Sequence, residues 1–251
     1  MSLPQSFSSS SPSVAALESS VAALMRDAKT EADEIRLFRQ LSDRGLLQAA
    51  LEAAVRDPEA LERIAARSYD EDGIMTRIIL LDTGDFQLRL HRWQELSADE
   101  SIWHSHQFPM LVHCFAGAGY DQELGHAFPD PDGAGRFTAA TRRPTPGGGF
   151  ETYALPDVPL FSVDAAPMSV RPGSLYAMPT DLLHHIEQVA SADATFTAVF
   201  RGRRRQPRPL FLFAGRMPAD ALQRLRPPVA PRVVAAAVRA ALARLEDAGK
   251  A

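Results

Sequence analysis

The stretch Trp103-His104-Ser105-His106-Gln107-Phe108-Pro109-Met110-Leu111-Val112-His113-Cys114-Phe115-Ala116 decides how this chain is read. It has the texture of a β-strand, and the reading places one strand over His104–Ala116. Residues i and i+2 of a strand point to the same side, so His104 and His106 project together. Two imidazoles one pleat apart can grip a single metal ion. Phe108, Met110, Val112 and Cys114 continue the same alternation and would form an apolar wall beside that ion.

A second histidine element lies some eighty residues on: Gly173-Ser174-Leu175-Tyr176-Ala177-Met178-Pro179-Thr180-Asp181-Leu182-Leu183-His184-His185. Gly and Pro bracket a short strand and a tight turn, and a histidine opens the next strand. The region around these two elements reads as many short strands between Pro/Gly loops. The expected strands are Ile74–Asp82, Phe86–Trp93, Gly119–Leu124, Phe137–Thr141, Glu151–Leu155, Met168–Val170, Leu175–Met178, His184–Val189 and Ala194–Phe200, and Phe128–Gly135 and Pro144–Gly149 read as loops. That punctuation points to a β-sandwich or barrel. There is no GxGxxG and no P-loop, which argues against a Rossmann-type sheet.

Outside this region the texture is helical. Residues 1–13 are Ser- and Pro-rich and read as a disordered tail. Residues 14–72 carry apolar positions at helical spacing, and Asp57-Pro58-Glu59 is a helix start, with Asp as N-cap and Pro at the first helical position. Three or four helices are expected there. They hold neither His nor Cys, and they read as a packing lid or a dimerisation element, with a homodimer as one assembly they would serve. The barrel is expected over 73–213 and a helical extension over 214–251, with helices at Ala219–Leu225 and Pro231–Glu246. The fold class is therefore mainly β with helical flanks.

Composition sets the frame. The chain has 251 residues, 45% hydrophobic and 23% charged, with net charge -4 and one cysteine. Those fractions suit a globular protein large enough to bury a full core without disulfides. No apolar run approaches the ~20 residues of a membrane span, and the N-terminus lacks a secretory signal. With Cys114 alone no internal disulfide can form, so a cytoplasmic location is expected. An acidic chain is not an evident nucleic-acid binder. The basic run Arg201–Arg208 reads as a solvated loop or as an interface with acidic helices.

The two histidine elements resemble those of the cupin superfamily, whose motifs are G-x5-H-x-H-x3,4-E-x6-G and G-x5-P-x-G-x2-H-x3-N. His104, His106 and Gly117 match the first; Gly173, Pro179 and His184 match the second. The resemblance spans roughly Ile74 to Arg201. It implies a double-stranded β-helix, or jelly-roll barrel, with a metal held by His104, His106 and His184. Four positions depart from the pattern: Ala98, Met110 in place of the glutamate, Asp181, and Gln188 in place of the asparagine. Three histidines without the carboxylate are similar to the ligand set of cysteine- and thiol-dioxygenase-like iron cupins. His106 stands where a 2-oxoglutarate oxygenase would carry its carboxylate, which ranks that class lower.

The resemblance thus implies Fe(II), although imidazole also suits Zn, Ni, Mn or Cu. It implies a mononuclear dioxygenase or oxygenase acting, with dioxygen, on a small polar substrate that chelates the metal, with a carboxylate or thiol as the candidate group. A non-catalytic metal-binding cupin, or an isomerase or hydrolase using another divalent metal, are the alternatives. Around the ion, Phe108 and Met110 would line the pocket. Arg89 or Arg201 would anchor a carboxylate, and Gln188 would hydrogen-bond the substrate. His91 and Tyr176 are the acid/base candidates, with a barrel-filling role as the alternative for Tyr176 and an outward, solvated face as the alternative for Arg89 and His91. His185 should face away from His184, and His113 away from His104 and His106. His126 reads as a surface residue, and Cys114 as a buried free thiol without a crosslink.

Overall fold

Four helices open the fold: α1 (Val14–Met25), α2 (Glu31–Asp43), α3 (Leu46–Arg56) and α4 (Pro58–Arg67). They are seen in a computed structural model that describes residues 12–71, 74–94, 102–130, 136–145, 150–155, 158–189, 195–214, 223–224 and 226–248. Local chemistry sets the helix starts. The Ser13 hydroxyl accepts from the Ala16 amide, Thr30 and Asp33 form a reciprocal capping box, and Asp57 caps α4 ahead of Pro58. Each such cap satisfies backbone N–H groups that the first helical turn leaves without partners. A fifth helix, α5 (Pro231–Ala248), packs on α3 and α4.

The strands are β1 (Tyr69–Glu71), β2 (Met75–Asp82), β3 (Gln87–Trp93), β4 (Trp103–Ser105), β5 (Met110–Ala116), β6 (Tyr120–Asp130), β7 (Phe137–Pro144), β8 (Phe150–Ala154), β9 (Leu160–Val170), β10 (Leu175–Met178), β11 (Leu183–Gln188), β12 (Phe196–Arg201), β13 (Phe211–Ala214) and β14 (Gln223–Arg224). They form two antiparallel sheets. One has the order β1-β2-β3-β12-β5-β10; the other has the order β13-β4-β11-β6-β9-β7-β8-β14, and β13 also pairs with β7. Among the described residues the chain is thus mainly β, two antiparallel sheets with five helices, in the layering of a β-sandwich or jelly roll. No described helix is long and apolar enough to cross a membrane.

The first sheet is buried on both faces, and alternation assigns its residues to one face or the other. Leu88, Leu90, Leu111, Phe115, Ala198 and Phe200 share a core with the helices. There Phe38 of α2 meets Phe86 and Phe200 at ring-centroid distances of 5.7 and 6.4 Å. Burying a Phe side chain contributes about 1.5–3 kcal/mol, so this cluster alone anchors α2 to the sheet. The alternate residues Trp93, Met110, Val112, Cys114 and Val199 form a separate inner core with Tyr120 and Ile186 from the second sheet. The functional site opens off this inner core.

The structure corrects several element boundaries. The single strand expected over His104–Ala116 is two strands in different sheets, β4 and β5. Pro109 lies between them; it lacks an N–H and its ring fixes φ, so a continuous ladder breaks there. Residues 128–130, expected in a loop, belong to β6, which pairs with β9 as far as Asp130↔Leu160. Tyr69–Glu71, expected in the helical region, is strand β1. In the helix expected over Ala219–Leu225, Gln223 and Arg224 instead pair with β8, and the other positions lie outside the described residues. Residues 1–11 of the expected tail also lie outside them, while Ser13 is the α1 cap. The two motif glycines, Gly117 and Gly173, both have φ 92°. That left-handed conformation is strained for a side chain with a Cβ, which is why glycine stands at both turns.

Candidate metal centre

The three motif histidines meet at one point. β4 and β11 are antiparallel neighbours with His184 directly opposite His104, so both rings leave the same face of the sheet. His106 follows two residues after His104, just past the end of β4. The Nε2 atoms of His104 and His184 are 3.0 Å apart, and those of His106 and His184 are 3.1 Å apart. One ligand atom from each of the three lies within 4.8 Å of the others, so the group can hold a metal ion. On the third strand of this row, Phe211 of β13 pairs with His104 and stacks on its ring at 5.6 Å and 10°.

The far sides of two rings determine what the near sides present. His104 Nδ1 lies 2.9 Å from the Ile102 carbonyl oxygen, which can only accept, so the His104 proton is assigned to Nδ1. His184 Nδ1 lies 3.2 Å from Gln122 Oε1 and donates in the same way. In the neutral rings both Nε2 atoms are then bare lone pairs that face each other. At 3.0 Å this arrangement is repulsive unless a cation lies between them.

That cation is not a proton at neutral pH. Burial lowers the His104 pKa to about 4, and burial also holds His106 and His184 well below the usual imidazole range. Nitrogen donors about 2.1 Å from one ion and at right angles to each other would stand about 3.0 Å apart. The spacing, the tautomers and the neutral state all fit a divalent metal.

A cavity of ≈130 Å³ adjoins the histidines. Strand β3 contributes Arg89, His91 and Trp93 to its wall, so the inward face of that strand is the one carrying these three residues. His91 is 6% exposed, and its Nε2 has no hydrogen-bond partner among the described residues. Burial lowers its pKa well below the usual value. Arg89 donates from Nε to Gln87 at 2.8 Å and meets no carboxylate among the described residues. Burial and then the neighbouring Arg77 lower its pKa to about 9.

Met110, Val112, Met178 and Val199 make the apolar part of the wall. Tyr176 also lines it; its hydroxyl lies 2.6 Å from that of Tyr120, and burial pushes its pKa up to about 12.

Other candidates lie elsewhere. Arg201 shares the inward face of β12 with Thr197 and Val199, but it sits at the strand's end, opposite Gln87 and Met110. Its guanidinium donates to the Gly84 carbonyl at 3.2 Å and lies 4.0 Å over the Phe108 ring, and it does not line the cavity beside the histidines. Phe108 also misses that cavity, because the chain leaves strand geometry before Pro109. The side chain of Gln188 lies outside the described residues.

His185 faces the other way, stacked on Trp103 at 5.5 Å and 24°. His113 is half-buried against Phe115, and His126 is exposed. Cys114 is a buried free thiol, pushed to about 11 by burial.

No family model matches the chain, and no curated protein matches it in sequence. Similarity to solved structures is partial. Peruvianin-I, a cysteine peptidase from Thevetia peruviana latex, aligns at 15% identity and TM-score 0.24 over 51% of this chain and 60% of its own. KdgF from Halomonas sp. aligns at 14% identity and TM-score 0.23 over 55% and 87%. CapF, a capsular polysaccharide assembling protein from Staphylococcus aureus, aligns at 11% and 0.24 over 64% and 31%. The chain therefore spans less than two thirds of the first of these proteins.

Two parts of the site were missed by sequence reasoning. Gln122 is fully buried and orients His184, although no motif marks it. Its signal is register: β6 pairs Leu124 with His184, which puts Gln122 two residues away on the same face. The second is the role of α2. Glu31 accepts from both the amide and the hydroxyl of Thr180, each at 3.0 Å, in the turn that leads to His184. Glu34, fully buried, takes Arg203 and Arg205 from the basic run. The Arg205 amide in turn donates to the Gln107 carbonyl, next to His106. One helix thus braces the chain next to two of the three histidines. Part of the basic run thus forms an interface with an acidic helix face.

Proposed function

We propose that this chain is a metal-dependent enzyme of the cupin type, a mononuclear non-haem iron oxygenase acting on a small, anionic, metal-chelating substrate. The observation that carries the reading is the convergence of three imidazole nitrogens, with His104 Nε2 3.0 Å and His106 Nε2 3.1 Å from His184 Nε2. His104, His106 and His184 would hold the ion. Bound there, iron supplies dioxygen chemistry at the substrate, and three neutral ligands leave the ion's positive charge to attract an anionic chelator.

The chain's own groups then have distinct tasks. Arg89 receives a carboxylate through N–H donors that no acid among the described residues occupies. Met110, Val112, Met178 and Val199 keep water away from the reacting atoms, which strengthens every polar contact in the cavity. His91, neutral and with no hydrogen-bond partner at Nε2 among the described residues, offers the substrate a hydrogen-bonding group. Tyr176 keeps its phenolic proton at neutral pH and presents it as a donor.

The test is metal analysis of the purified protein, followed by dioxygen uptake with small acids and thiols after anaerobic iron loading. H104A, H106A and H184A should each lose metal and turnover. Full metal stoichiometry in all three would overturn the ligand assignment. Bound metal without dioxygen uptake would instead mark a non-catalytic binding protein, or an isomerase or hydrolase using another metal.

A further inference from the structure

A second cavity, of ≈210 Å³, shares the wall formed by Arg77, Arg89, His104, His106 and Arg142. It adjoins the histidine centre. Among the described residues, Arg77, Arg89, Arg142, Arg204 and Arg226 line it, against the single carboxylate of Glu71. Glu71 is already shared, by Arg77 at 3.0 Å and by Arg226 at 2.8 Å. Several of these guanidiniums lie over aromatic rings. Arg226 lies 4.1 Å from the centroid of Phe150 and 4.5 Å from that of Tyr69, and Arg142 lies 4.1 Å from that of Phe211. A cation over a ring face is attracted by the ring's electron-rich face, which helps to keep these guanidiniums in the recess. Arg142 uses Nε on the Thr152 hydroxyl, and Arg204 stands exposed near Phe108. Cations gathered in a partly desolvated recess repel one another, and an anion with more than one charge relieves that repulsion.

We propose that this second cavity is a subsite for a doubly charged anionic group, a phosphoryl group or a pair of carboxylates, on a substrate whose other end reaches the three histidines. The link to the histidines rests on the function proposed above; the subsite itself rests on the arginines.

The full-length protein as purified, with its metal content recorded, is titrated calorimetrically with inorganic phosphate, malonate and acetate at constant ionic strength. Phosphate or malonate should bind at least tenfold more tightly than acetate. The tighter of the two identifies the class, phosphoryl or dicarboxylate. R142Q and R204Q should each weaken that binding at least fivefold, and E71Q, which removes the opposing charge, should tighten it. R36Q, on exposed α2 surface, should leave it unchanged.

H184A should lose metal yet keep phosphate or malonate binding, because the subsite does not depend on the ion. Equal affinity for all three anions, no response to R142Q and R204Q, or loss of binding in H184A alone would overturn the subsite. Intact anion binding in a wild-type protein that takes up no metal would instead overturn the proposed function and leave the subsite standing.

Discussion

Replacing Gln122 with Leu tests the centre without touching a ligand. Gln122 is fully buried, and its Oε1 is the acceptor that holds the His184 proton on Nδ1. Leucine fills a similar volume and removes that acceptor. The His184 Nδ1–H then has no partner in a buried site, and the ring gains stability by moving its proton to Nε2, the atom that must bind metal. Partners of this kind are typically worth 10- to 100-fold in metal affinity, or about 1.4–2.7 kcal/mol. The orphaned N–H adds a folding cost of about 1–3 kcal/mol. Q122E has the opposite expectation: a carboxylate accepts more strongly, makes the imidazole a better donor to metal, and tightens binding. The assay is competition of Co(II) or Zn(II) against a chelator of known affinity, with a urea melt of each variant to check folding. A folded Q122L that binds metal within twofold of the parent would refute the assigned tautomer, and with it the argument that bare lone pairs converge.

Three further outcomes are expected. E34A removes the fully buried carboxylate that pairs with Arg203 and Arg205 and should lower unfolding free energy by about 2–4 kcal/mol, since it strands partly buried guanidiniums; equal urea midpoints would contradict this. Burial alone would raise the Glu71 pKa, but Arg77 and Arg226 outweigh it and hold the group at about 2. A carboxylate depressed in the folded state stabilises above its unfolded value and loses that contribution as pH falls, so about 3 kcal/mol should disappear between pH ~4.5 and ~2; E71Q should show a flatter acid limb, and an unchanged slope would contradict the assignment. E31Q should weaken metal binding severalfold with little change in stability, because Glu31 fixes the Thr180 turn ahead of His184; unchanged metal affinity would limit α2 to packing.

The sequence by itself determined the periodicities and singled out three histidines that converge in the structure. Alternation in β3, β5 and β12 is local, so the inward faces could be read without knowing what they face. His104, His106 and His184 were legible because turn glycines and Pro179 lock their spacing, and a one-residue shift would turn His185, not His184, inward. What only the tertiary structure decided is everything set by register between distant strands and by packing of the helices. Pro109 splits one apparent strand into two sheets, which takes Phe108 out of the wall of the first cavity and into that of the second. Arg201 has the right parity but the wrong height along β12. Gln122 reaches His184 through a cross-strand diagonal, and Glu31 and Glu34 reach Thr180 and Arg205 from more than a hundred residues away. Parity along a strand is a property of neighbouring residues. Height, register and docking are settled by which buried surfaces fit one another, and no short window of sequence contains both partners.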